Sequence, residues 1–252
     1  MADGHASPLA PAAPRPEGGA TALARPGGPC FFVVGTDTGV GKTLVAAGLL
    51  HALARKHARV VGMKPVAAGA VMVDGAWASE DALALRAAST LAVPPALDNP
   101  VLLPEPLSPH LAAARAGCRI RLDVLVESYR SLAAQADAVV VEGAGGFLVP
   151  LDDEATGADL ALRLQLPLVL VVGLRLGCLN HALLTAEAIA ARGLRLAGWV
   201  ANRIDPQMAA VDDNIATLAR RLPAPLWAEL PHGCTDARHL PFNARFHTDV
   251  LA

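Results

Sequence analysis

Residues 31–43 read FFVVGTDTGVGKT. Four apolar residues run into a glycine-rich loop that closes on Lys42 and Thr43, and LVAAGLLHALA then follows with helical apolar spacing. An apolar strand that passes through glycines into a helix gathers backbone N–H groups and the positive end of the helix dipole around an anion. The expected ligand is a nucleotide: Lys42 reaches its outer phosphates and the Thr43 hydroxyl ligates the accompanying Mg2+. Five residues rather than four separate Gly35 from Gly41, so the loop is a variant P-loop.

Outward from this stretch, a βα alternation continues almost to the end of the chain. Continuous apolar runs predict strands at residues 31–34, 60–63, 138–142, 168–172, 196–201 and 226–230. Runs of this kind, rather than alternating ones, are what strands buried on both faces of a parallel sheet require. Helical patterns fall between them at residues 42–56, 81–88, 109–116, 122–135, 158–164, 180–192 and about 209–221. Ser108-Pro109 supplies a helix-start signal. The fold class predicted is α/β: a doubly wound, mainly parallel sheet with helices on both faces, P-loop NTPase-like, with ligands at the carboxyl ends of the strands.

The organisation expected is a Pro/Ala/Gly-rich disordered tail over residues 1–29 and a single α/β domain over residues 30–252. Asp3, Pro8, Pro11 and Pro14 break any continuous apolar region of a secretory signal. Hydrophobic residues make up 53% of the chain and aromatics only 4%, so the core is built from Ala, Val and Leu. A net charge of -2 gives no general attraction to nucleic acid or an anionic membrane, and the expected partner is small. Gly, Pro or a charge interrupts every apolar stretch before the roughly 18 to 20 residues of a membrane span. Cys30, Cys118, Cys178 and Cys234 form no C-x-x-C pair and read as reduced packing thiols of a cytoplasmic protein.

Two further loops carry chemistry. In GMKPVAAG, Lys64 stands at the carboxyl end of the second strand and faces the ligand crevice. In VVVEGAGGFLVP, Glu142 ends the third main strand, placed to ligate Mg2+ across from Thr43, and the glycines after it allow close backbone approach. Asp81 is a second acidic candidate for the metal, although an acidic residue in a first helical turn also suits the dipole. His110 and His181, near helix starts, read as local hydrogen-bonding residues.

Taken together, GTDTGVGKT at 35–43, KPVAAG at 64–69, the segment holding Asp81, PHLAA from Pro109, VEGAGG at 141–146, LGCLNHALLT at 176–185 and GWVAN at 198–202 resemble the dethiobiotin synthetase family. The resemblance covers Phe31 through Pro231 and rests on the combination in this order. It implies a homodimeric enzyme that uses ATP, Mg2+ and CO2 to convert 7,8-diaminononanoate to dethiobiotin, ADP and phosphate. A substrate amine captures CO2 as a carbamate, ATP phosphorylates it, and the second amine closes the ureido ring.

Carried over residue by residue, Gly39, Val40, Gly41, Lys42, Thr43 and Leu44 hold the ATP phosphates. Thr43, Asp81 and Glu142 bind Mg2+, and Gly143, Ala144 and Gly145 line the nucleotide. Lys64, Lys42 and Thr38 act on the reacting groups. Thr38, Lys64, Ala68 and Gly145 contact the substrate, whose distal carboxylate meets the helix start at Leu179 and Asn180 across the dimer interface. Asn202 reads the base, with Arg203 and the Pro231, His232 and Gly233 segment nearby. The chain departs from the family pattern at three places: Ala68 where Ser is frequent, Gly39 where an acidic residue occurs, and no aromatic around Asn214. A switch ATPase of the chromosome-partitioning type shares this fold, but its signature lysine aligns with Asp37, of opposite charge.

Overall fold

In this computed structural model, which describes residues 26–251, a six-stranded parallel sheet carries the fold. The strands are β1 (Cys30–Gly35), β2 (Val60–Met63), β3 (Val66–Ala68), β4 (Val71–Val73), β5 (Ala76–Ala78), β6 (Val101–Leu103), β7 (Ala138–Gly146), β8 (Leu168–Gly173), β9 (Leu196–Asn202) and β10 (Leu226–Leu230). The helices are α1 (Lys42–Leu53), α2 (Glu80–Ala88), α3 (Pro95–Asp98), α4 (Pro109–Arg115), α5 (Leu122–Ala133), α6 (Gly157–Leu164), α7 (Cys178–Ala190), α8 (Val211–Arg221) and α9 (Ala244–Leu251).

The main sheet has the order β10-β9-β8-β1-β7-β2, and every neighbouring pair is parallel. β1 lies between β7 and β8, so the chain builds first to one side of it and later to the other. That reversal opens a crevice at the carboxyl ends of the strands, where the loop after β1 sits.

Successive residues of β1 alternate between two apolar layers. Phe32 and Val34 pack with Leu125, Tyr129 and Leu132 of α5 and with Leu160 of α6, whereas Phe31 and Val33 pack with Leu49, Leu50 and Leu53 of α1. Both faces are therefore covered, which is why all six main strands read as unbroken apolar runs. On the α1 side, Trp227 of β10 meets Phe31 and Phe246 edge-on, with ring centroids 5.7 and 5.4 Å away. A Cβ on Gly198 of β9 would lie 2.3 Å from the Trp227 ring, so the indole occupies space that only glycine leaves.

Several boundaries differ from expectation. α1 stops at Leu53 and α5 at Ala133, while α7 starts at Cys178, where Gly177 in a left-handed conformation (φ 96°) turns the chain into the helix. β7 runs on to Gly146 and bulges: Val33 pairs with Glu142 and Gly35 with Gly146, leaving Gly143, Ala144 and Gly145 opposite Val34 alone. The β3–β6 pair, the β4–β5 hairpin, α3 and α9 are additions to the predicted elements.

Residues 1–25 of the expected tail lie outside the described residues. Within the remainder, the Gly28 N–H donates to Asp137 O at 3.0 Å, joining the entry of β1 to that of β7. Among the described residues no helix is long and apolar enough to cross a membrane.

Candidate active site

The P-loop enters α1 through Gly41, whose φ of 94° is left-handed. A Cβ there would also lie 2.3 Å from Asn202 Nδ2, and this amide donates to Val40 O at 2.9 Å. Asn202 thus clamps the loop from the end of β9. No side chain caps α1 and its first turn holds no acidic residue, so its leading N–H groups face an incoming anion. Lys42 Nζ folds back to donate to Asp37 O at 2.9 Å. Burial, reinforced by the nearby Lys64 charge, lowers the Lys42 pKa from 10.5 to about 8.

Beside the loop, β2 ends at Met63 while its neighbour β7 runs on. Met63 pairs with Val141, so Lys64 and Glu142 emerge side by side at the carboxyl edge of the sheet. Lys64 is 4% exposed and Glu142 1%. Lys64 Nζ lies 2.6 Å from Glu142 Oε1, 2.7 Å from Asp81 Oδ2 and 3.4 Å from Gly143 O. Ser79 caps α2 by accepting from Ala82 N, and the first turn of that helix presents Asp81 to the cluster.

The electrostatics follow from this packing. Burial disfavours the Lys64 ammonium, but Glu142 and Asp81 outweigh it and hold its pKa above the ordinary lysine value. Burial also opposes ionisation of Asp81, and there the charge and hydrogen bond of Lys64 win, with help from Thr43, so its pKa is lowered. For Glu142 burial wins over Lys64 and the pKa is raised.

The Thr43 hydroxyl lies 2.8 Å from Asp81 Oδ1 and 2.9 Å from Glu142 Oε1. One hydroxyl proton serves only one of these contacts. Glu142 Oε2 is buried without a hydrogen-bond partner. A hydroxyl and two carboxylates are the hard oxygen donors that Mg2+ takes, and the orphaned Glu142 oxygen fits such an ion. Among the described residues no group of three or more His, Cys, Asp and Glu side chains forms a metal cluster, so an ion here would rest on these few oxygens together with phosphates and water.

Thr38 and Gly145 share a groove with Phe147, Leu148 and Leu184 of α7. Leu179 and Asn180 lie in the first turn of α7, which also lacks a side-chain cap and an acidic residue in that turn. Ala68 sits half-buried in β3. Arg203 follows Asn202 and pairs with Glu229, its Nε donating at 2.7 Å. The Arg203 N–H bonds Leu230 O, and its carbonyl lies 3.1 Å from His232 Nδ1, which brings the exposed Pro231–Gly233 turn beside Asn202.

Residues not singled out from the sequence hold this arrangement. Asn99 Nδ2 donates to Lys64 O at 2.7 Å, and the Lys64 N–H donates to Asp98 O at 2.7 Å. The buried Asp98 carboxylate is gripped in turn by Arg86 at 2.8 and 2.6 Å. Arg175, in the loop before α7, pairs with Asp37 of the P-loop. Asn99-Pro100 is a turn signal that marks the first group in the sequence, but no local pattern links Arg175 to Asp37.

The sequence profile of the AAA domain family matches residues 30–234. An ATP-dependent dethiobiotin synthetase, BioD, of Aromatoleum aromaticum is 56% identical over 204 residues, covering 80% of this chain and 90% of the relative. The chain belongs to the dethiobiotin synthetase family. Among solved structures, the MinC:MinD cell division complex of Aquifex aeolicus aligns with a TM-score of 0.50 at 15% identity, covering 81% of each chain. The signal recognition particle receptor FtsY of Elizabethkingia anophelis in complex with GDP aligns with a TM-score of 0.51 at 16% identity, covering 88% of this chain and 62% of that one. At such identities the likeness speaks to the fold alone. It agrees with the mainly parallel sheet and flanking helices, while the family carries the site.

Proposed function

We propose that this chain is an ATP-dependent dethiobiotin synthetase, closing the ureido ring of dethiobiotin from 7,8-diaminononanoate and CO2 in biotin biosynthesis. The observation that carries the reading is the Lys64–Glu142–Asp81–Thr43 cluster, built on a buried Lys64–Glu142 pair beside an uncapped P-loop helix, in a chain of this family.

A carbamate is a poor electrophile until it is phosphorylated, which explains a P-loop in a carboxylating enzyme. The α1 N–H groups and Lys42 hold the ATP phosphates. Lys64, fixed by two carboxylates, aims its charge at the carbamate and the transferring phosphoryl group, where negative charge develops. Thr43, Asp81 and Glu142 would hold Mg2+, which supplies charge neutralisation for the phosphates. The two lysines and two carboxylates sum to no net charge, so the cluster alone does not offset a polyphosphate. Thr38 and the Gly143–Gly145 backbone orient the diamine, and Asn202 with the Pro231–Gly233 turn meets the base.

The substrate's distal carboxylate is assigned to the uncapped first turn of α7 in a partner subunit. Exposed Leu148, Leu176 and Leu184 flank this region and suit burial in a homodimer. Sedimentation at working concentration tests the dimer. Four free cysteines fit a reducing, cytoplasmic setting.

The deciding experiment follows ADP release with Mg-ATP and bicarbonate, with and without 7,8-diaminononanoate, and weighs the organic product. Diamine-dependent release with the mass of the cyclic urea supports the reading. Diamine-independent hydrolysis returns the chain to a switch-ATPase role.

A further inference from the structure

The bulge of β7 leaves space behind it. Gly143, Ala144 and Gly145 leave the ladder opposite Val34, and the gap is lined by apolar side chains that include Phe32, Val66, Phe147, Val149 and Leu160. The resulting cavity is about 20 Å³. Roughly 10–15 Å³ accommodates one water, so this room suits a molecule of very few heavy atoms and excludes a nucleotide or a whole diamine. Its wall includes Glu142 and Pro65, the residue after Lys64, so the cavity adjoins the reacting end of the site.

We propose that this cavity is the CO2 site, from which CO2 meets the substrate amine beside Lys64. The inference rests on the carboxylase reading above. Among the small reactants, CO2 alone has no charge and no hydrogen-bond donor, so it enters an apolar recess without a desolvation penalty. Bicarbonate, an anion, would be buried among aliphatic side chains against the Glu142 carboxylate, at large cost. The cavity thereby selects CO2 over the far more abundant hydrated form. In the step it serves, the neutral amine nitrogen attacks the carbon of CO2 and an N–C bond forms. One C=O electron pair moves onto oxygen, and the amine proton leaves to solvent. The product is a carbamate whose negative charge develops beside the Lys64 ammonium.

Val149 is only half-buried, so Val149→Phe narrows the cavity with little risk to the fold, and Val66→Leu does so more gently from β3. Filling a pocket by a methylene or more typically changes discrimination by about tenfold or more. The expected result is a KM for CO2 raised about tenfold or more in Val66→Leu, with KM for ATP and for the diamine unchanged and the melting temperature retained; Val149 also lines the groove that holds Thr38 and Gly145, so Val149→Phe is read by CO2 binding alone. A raised KM for the diamine instead in Val66→Leu would overturn the assignment and give the cavity to the substrate's hydrocarbon. An unchanged KM for CO2 in that variant would also overturn it. Independently of turnover, the infrared stretching band of 13CO2 should show a bound component in the wild-type protein that Val149→Phe removes. Absence of that component counts against the site, whereas absence of diamine-dependent product in the wild type overturns the carboxylase reading alone.

Discussion

Lys64 Nζ and Glu142 Oε1 lie 2.6 Å apart, although 78 residues separate them in the chain. The parallel pairing of Met63 with Val141 sets this, since Lys64 follows the end of β2 at the level where β7 reaches Glu142. The pair is buried, so its two members are coupled in stability as well as in chemistry.

Lys64→Ala should lower turnover by about 10²–10³ or more, as removal of a fixed group that stabilises developing charge does. Mg-ATP affinity should fall far less, because Lys64 lies outside the P-loop. Equal losses in kcat and in nucleotide affinity, measured by calorimetry, would refute a separate role.

The same variant leaves Glu142 without its cation and should lose about 3–5 kcal/mol of stability near neutral pH. Glu142 already has a raised pKa, from burial, and losing Lys64 raises it further. The folded variant then binds a proton that the unfolded chain releases as pH rises above the ordinary carboxylate range. The deficit should therefore grow toward neutral pH and shrink on acidification, as urea titrations at several pH values would report.

Lys42 carries the opposite sign. Its pKa falls from 10.5 to about 8 on folding, chiefly through burial. Between those values the unfolded chain holds the extra proton, so Lys42 makes stability rise with pH there, and its penalty is complete below about 8. Lys42→Met should raise ligand-free stability at pH 7 by about 1–3 kcal/mol while abolishing productive ATP binding. ATP binding to the wild type near pH 8.5, roughly where Lys42 is mostly neutral, should take up a proton, visible as a buffer-dependent heat.

Asp81→Asn should raise the Mg2+ concentration needed for half-maximal activity by about tenfold or more, since a carboxylate oxygen is exchanged for a weaker amide donor. The native Asp81 pKa is lowered despite burial by Lys64, so its stabilisation is present above the ordinary carboxylate range and lost as pH falls through the lowered value. The Asn variant should lose that acid dependence. An unchanged Mg2+ requirement would remove Asp81 from the metal site.

Gly41→Ala faces a left-handed φ and a Cβ position 2.3 Å from Asn202 Nδ2. The backbone part alone is worth about 1–2 kcal/mol. Pairing it with Asn202→Ala should recover the steric part and leave the backbone part, a non-additivity that a double-mutant cycle measures. Strict additivity would show that the two positions do not touch.

The main sheet was legible because strands covered on both faces are written as apolar runs, and VVVE and FFVV are of that kind. Lys64 was legible because it follows an apolar strand directly, Asp81 because it falls in a first helical turn, and Glu142 because it closes the apolar run of β7 before the glycines. The β4–β5 hairpin was not, since three-residue strands holding exposed Met72 and Trp77 offer no buried face to read. Nor was α9, where a few apolar residues such as Phe246 and Val250 are set among polar ones. The Arg86–Asp98–Lys64 support is non-local: backbone contacts made after folding create it, and no spacing in the chain announces them.

Both ladder partners of β1, the strands β7 and β8, come later in the chain than β2. A chain emerging from the ribosome holds the phosphate loop and the lysine strand long before Ala138 appears to join them. Until then β1 and β2 have no common neighbour and their edges stay open. The order of synthesis thus makes residues 138–146 the piece that turns two separate segments into one sheet, and a ribosome pause just before them would be when the nascent chain depends most on chaperones.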